Sequence, residues 1–138
     1  MAIKKSWASK LYCNRKPIIK RIDFDFADIP ANSNMLIATP LLIENYVRQI
    51  PLGKTVTPKT MRKDLAIENK ADYTCPVTTG IFLRIVAEAG YEKYQQTNSM
   101  ESISPFWRAI EPNSLLAKKL SFGQDFLIQQ RMKELIKD

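Results

Sequence analysis

Cys75-Pro76-Val77-Thr78-Thr79-Gly80-Ile81-Phe82 opens the segment whose reading decides the fold. Proline is preorganised for the first position of a helix, where its missing N–H costs nothing. Behind it, Ile81, Phe82, Ile85, Val86 and Ala89 recur at helical spacing, which predicts a buried helix from Pro76 to about Tyr91. Thr74 is a second candidate cap for it. The same punctuation occurs twice upstream. Thr39-Pro40 predicts a helix to Gln49 that buries Leu41, Leu42 and Tyr46, with Ile50 just beyond. Thr57-Pro58 predicts one to about Asn69 that buries Met61 and Leu65. Pro51-Leu52-Gly53-Lys54 turns the chain between them.

Downstream, Glu92 to Ser104 is polar and reads as a loop. Pro105-Phe106-Trp107-Arg108-Ala109-Ile110 reads as a short aromatic strand. With Leu115-Leu116 it flanks the turn formers Glu111-Pro112-Asn113-Ser114, so a β-hairpin is predicted there. Gly123 to Ile136 reads as a closing amphipathic helix through Phe126, Leu127, Gln130, Met132 and Leu135. Residues 1–34 read as an irregular arm. Within it Ser6 to Tyr12 suits a short helix, Arg15 to Phe26 a strand, and Asp28 to Asn34 a loop. The predicted fold class is mainly α with a small β-hairpin: a winged helix-turn-helix over residues 35–138, preceded by the arm at 1–34. Winged helices bind nucleic acid or protein, so the class alone does not choose between them.

The 138 residues are 45% hydrophobic, enough for one compact core. The net charge of +7 is unevenly placed. Lys4, Lys5, Lys10, Arg15, Lys16, Lys20 and Arg21 lie in residues 1–22, which hold no acid, and the remaining 14 basic and 14 acidic residues balance. Such an arm either binds a phosphate backbone through counterion release or is a solvated basic tail. Histidine is absent, which excludes Ser-His-Asp and Cys-His mechanisms. Cys13 and Cys75 alone cannot close a structural zinc site, and the four glycines are too far apart for a phosphate loop. No catalytic residue, metal or cofactor is expected. Met35 to Ala38 and Leu41 to Ile43 are too short to span a bilayer, and the N-terminus lacks a signal-peptide pattern. The expectation is a cytoplasmic, nucleoid-associated protein without a membrane segment.

Several residues are candidates for chemistry or binding. Cys75 is either a thiolate at a helix N-terminus or a small buried residue, and the lack of a histidine base favours the second. Thr78, Thr79, Gly80 and Arg84 lie on the third helix; Gly80 and Arg84 share a face that Ala87 and Tyr91 extend. That face either enters a DNA groove or packs, with Arg84 solvated. Thr57, Lys59, Arg62 and Lys63 lie at the start and exposed side of the second helix, placed for phosphate contact or for ordinary solvation. Phe106 and Trp107 alternate sides if they lie in a strand, one lining a pocket and the other in the core.

Five separated motifs occur in order: Ser6-Trp7-Ala8-Ser9-Lys10-Leu11, Met35-Leu36-Ile37-Ala38-Thr39-Pro40, Ile50-Pro51-Leu52-Gly53-Lys54, Cys75 to Phe82, and Pro105-Phe106-Trp107-Arg108. In these the chain resembles a bacterial family labelled alkyltransferase-like or "MGMT family". Residues from about 39 to 136 look, more distantly, like the DNA-binding domain of the alkylguanine-DNA alkyltransferases, marked by a Pro-x-Gly-Lys turn and a Pro-Cys-His-Arg active site. Here Phe106 stands at the acceptor cysteine and Trp107 at the histidine, while Pro105 and Arg108 are retained. A phenyl ring cannot accept an alkyl group by displacement. Pro58 stands where those enzymes carry a tyrosine that helps rotate a nucleotide out of the stack. The resemblance therefore implies a non-catalytic binder of double-stranded DNA, alkylated or damaged DNA being the natural target and a repair-pathway protein a natural partner. It implies DNA contact by Thr57, Lys59, Arg62, Lys63, Thr78, Thr79, Gly80, Arg84 and Arg108, with Pro105, Phe106 and Trp107 lining the former acceptor pocket. The alternatives are a winged-helix protein-interaction module and, less favoured, an alkyltransferase that uses Cys75.

Overall fold

The structure, a computed structural model, describes residues 6–136, so Lys4 and Lys5 of the basic arm lie outside the described residues. Helix α1 (Trp7–Leu11) is capped by Ser6, whose hydroxyl accepts from the Ser9 N–H. Strand β1 (Ile18–Ile22) pairs antiparallel with β2 (Ser33–Ile37), Ile18 opposite Ile37 and Ile22 opposite Ser33. Strand β3 (Tyr73–Thr74) adds in parallel to the other edge of β2. Asp72 anchors that edge, its carboxylate accepting from Asn34 N–H at 2.8 Å and its own N–H donating to Asn34 O at 2.9 Å.

Three proline-opened helices make the body: α2 (Pro40–Arg48), α3 (Pro58–Glu68) and α4 (Pro76–Thr97). Thr39 accepts from Leu42 N–H and Thr57 from Thr60 N–H, so two of the three expected caps are formed by threonine. Cys75 caps nothing with its side chain; it is buried, its N–H reaches Leu36 O, and its carbonyl accepts from the Thr79 hydroxyl. A single 3-10 turn (Phe106–Arg108), α5 (Leu115–Lys119) and α6 (Asp125–Lys133) complete the chain. The main core gathers Ile43, Val47, Met61, Leu65, Leu83, Val86, Phe106 and Leu127; a smaller one under the hairpin holds Ile22, Ile29, Met35 and Cys75.

The fold class is the expected one, mainly α with a small β-hairpin, but the hairpin is in a different place. It is β1–β2: β1 lies within the strand expected over Arg15 to Phe26, and β2 straddles the boundary expected at residue 34. Pro105 to Ile110 is not a strand. Phe106 and Trp107 are adjacent and both buried, which a strand with one solvent face does not allow and a 3-10 turn does. Leu115-Leu116 starts a helix because the Ser114 hydroxyl accepts from Ala117 N–H. Helix α4 runs on to Thr97 rather than stopping near Tyr91. Tyr91 stacks on Phe122 at 4.2 Å and Tyr94 leans on Phe126, so the extra turns have something to bury. In α2 the enclosed residues are Ile43 and Val47, with Leu41, Leu42 and Tyr46 at the margin. The face of α4 is also corrected: Ile81 is exposed, Ala87 is fully buried and Tyr91 is half-buried. Helix α6 stops at Lys133, short of the expected Ile136; Leu127 and Gln130 are buried in it, while Met132, and Leu135 beyond its end, are exposed.

Candidate nucleic-acid interface

Four of the nine residues read as DNA contacts are engaged in holding the fold. Thr57 caps α3. Thr79 is buried and bonded to Cys75 O. Arg62 forks onto the Asp28 carboxylate at 2.9 and 2.7 Å, and its Nε donates to Thr74 O at 3.0 Å. The loop between β1 and β2 is thereby fastened to α3, and the Arg62 hydrogen bonds hold the Asp28 carboxyl below its ordinary value. Arg108 is the most deeply committed. Its Nε and Nη2 each reach the Glu134 carboxylate at 2.9 Å, and its Nη1 donates to Ile50 O at 2.7 Å.

Glu134 also accepts from Trp107 Nε1 at 2.6 Å and from Gly53 N–H at 3.0 Å. Burial pushes this carboxyl up, but the bonds from Arg108, Gly53 and Trp107 outweigh it and hold it below its ordinary value. Pro105, Phe106 and Trp107 therefore do not line an open pocket. Phe106 is 0% exposed and Trp107 is buried over the Glu134 carboxylate. Arg131 closes the cluster, donating to Trp107 O and Ile110 O.

The remaining five residues divide between two surfaces. Lys59 and Lys63 are exposed on α3. Thr78, Gly80 and Arg84 are on α4, and Gly80 and Arg84 line an open groove of about 650 Å³ between α1, α4 and α5. The Thr78 hydroxyl oxygen is enclosed without a hydrogen-bond partner. Arg84 is not freely solvated. Its Nε lies 3.5 Å from the Glu88 carboxylate, and its guanidinium lies 5.5 Å from the centre of the Trp7 ring. Glu88 is 2% exposed and accepts from both the N–H and the hydroxyl of Ser121. Lys10 sits over the same Trp7 ring at 4.1 Å.

The arm contributes a third basic surface. Arg15, Lys16, Lys20 and Arg21 are exposed, and the last two are held on β1 by its ladder with β2. Glu134, Glu88 and Trp7 were not legible as site residues. Only Glu88, four residues after Arg84, carried a signal in its spacing. No family model, no curated protein and no solved structure matches the chain. Among the described residues no helix is long and apolar enough to cross a membrane.

Proposed function

We propose that the protein is a non-catalytic DNA-binding protein of the alkyltransferase-like type, which grips the phosphate backbone with its basic N-terminal segment and the lysines of α3. One observation carries this reading. From Ser6 onward the acid-free basic stretch is built into the fold, so Lys20 and Arg21 project from the two faces of a paired strand and lose little freedom on binding. The buried Phe106 favours backbone contact over capture of an extruded base in the former acceptor pocket. A cytoplasmic, nucleoid-associated location goes with this reading.

The test is filter binding of duplex DNA, with and without an alkylated guanine, at two or more salt concentrations. The variant is Lys16→Gln, Lys20→Gln, Arg21→Gln in one chain. Each lost phosphate contact should flatten the slope of log affinity against log salt by about 0.9. An unchanged slope means that β1 does not touch the backbone. No binding at low salt would leave the protein-interaction module as the better reading, which the exposed Val77 and Ile81 on α4 favour.

A further inference from the structure

We propose that the groove between α1, α4 and α5 docks an amphipathic helix of a partner protein, with an apolar stripe and an acidic flank. The floor of the groove is the outward ridge of α4. Val77 and Ile81 are 54% and 53% exposed and stand one turn apart. Beside them a side chain at Gly80 would meet nothing within 4 Å, which leaves room for an incoming residue. Trp7 from α1 and Leu116 from α5 form the walls. An apolar ridge with a gap beside it takes residues spaced i, i+3 or i+4, and i+7 on one helix. Duplex DNA would pair its phosphates with the cations of the groove but has no apolar stripe to cover Val77 and Ile81.

Charge selects the occupant further. Lys10, Arg84 and Lys119 come from three different elements and face one groove, and among the described residues no carboxylate lines it. The acid that pairs with Arg84 is Glu88, which lies buried beneath. An acidic flank on the partner complements these cations and sets its orientation. A second copy of the chain, brought up about a two-fold axis, would set the same three cations against each other. The groove shares Lys10 with the basic N-terminal segment but not the strand β1 cations or the α3 lysines, so Gly80→Leu, which removes no charge, tests it apart from the DNA reading on which Lys10 also bears.

The experiment uses the full chain as bait for a displayed library of randomised peptides about 15 residues long, roughly four helical turns. Enriched peptides should share apolar residues at i, i+3 or i+4, and i+7 with Asp or Glu on the flank. Synthetic copies should lose at least about tenfold in affinity for Gly80→Leu and for Ile81→Glu, as expected when a central anchor is blocked. Lys10→Gln with Lys119→Gln should weaken binding and reduce its salt dependence. Gly80→Leu points into open space, and an unchanged far-UV spectrum would show that the variant is folded. The proposal is overturned if no peptide is enriched, if the enriched peptides are not acidic, or if folded Gly80→Leu binds them as before. Duplex binding by the same variants separates the two surfaces. If Gly80→Leu weakens DNA binding and not peptide binding, the groove is part of the DNA site and the docking proposal fails while the DNA reading stands.

Discussion

Gly90 makes room for Phe106. A Cβ at position 90 would come within 3.0 Å of one Phe106 ring carbon, 3.1 Å of another and 3.1 Å of Ile103 Cγ2. Helix α4 and the 3-10 turn thus meet more closely than a Cβ ordinarily allows, and the Phe106 ring fills the space. Gly90→Ala should overpack this contact and destabilise the protein by about 1–3 kcal/mol. Gly80→Ala, on the same helix but facing open space, should stabilise by about 0.5–1 kcal/mol. Urea denaturation of both variants checks the pair, and equal signs would mean that α4 does not press on Phe106.

No alkyl transfer is expected. Phe106 cannot accept the group, Cys75 is buried in the small apolar cluster with Ile22, Ile29 and Met35, and the sequence holds no histidine to act as its base. Incubation with DNA containing alkylguanine, followed by intact-mass measurement, should show no added alkyl group. Stoichiometric modification of Cys75 would return the protein to the enzymes.

Arg108 is a stability residue. Both it and Glu134 are largely enclosed, so Arg108→Ala leaves a carboxylate without its cation and should cost on the order of 3 kcal/mol. The same pair gives a pH dependence whose sign is fixed. The folded-state Glu134 value lies below its ordinary 4.5, so its stabilisation is complete above that value and is lost as pH falls through the lower folded one. Thermal unfolding followed from about pH 6 down to pH 3 should show a steeper loss in the parent than in Glu134→Gln. Parallel curves would mean that Glu134 does not contribute.

Arg84 differs from a solvated arginine for a related reason. Its partner Glu88 is buried, though two bonds from Ser121 support that carboxylate as well. Arg84→Ala should therefore cost roughly 0.5–1 kcal/mol, more than an ordinary surface change. A double-mutant cycle with Glu88→Gln should assign that cost to the pair, and additive single effects would deny the coupling.

Local signals were read well and distant ones poorly. Thr39-Pro40 and Thr57-Pro58 announce helix starts by chemistry contained in a few residues, and Met61 and Leu65 follow from one helical period. Strand β2 is different: Met35-Leu36-Ile37 is a plain apolar run until Ile18 to Lys20 pair with it on one side and Tyr73-Thr74, far along the chain, on the other. Ile81 falls on the apolar period of α4, yet no element among the described residues covers that side. The Gly80–Arg84 face was legible from spacing alone. The groove was not, because Lys10 and Lys119 reach it only through α1 and α5. Nor does any local pattern tie Arg108 to Glu134, 26 positions away.

The basic segment is structural as well as electrostatic, and this decides how its role can be measured. Leu11 is buried in the main core, and the Glu92 carboxylate accepts from Trp7 and Ala8 N–H at 3.3 Å each, docking α1 on α4. Deleting residues 1–21 removes α1 and most of β1, the antiparallel partner of β2. Losing the Leu11 side chain alone should cost about 2–5 kcal/mol, a large part of the stability of a small domain. The truncated chain should therefore unfold at markedly lower urea than the parent, while the Lys16, Lys20 and Arg21 glutamine variant should stay near it, since those side chains are exposed. If the truncated chain is as stable as the parent, α1 and β1 are not part of the cooperative unit. In that case the deletion itself becomes a clean measure of the arm's electrostatic contribution to DNA binding.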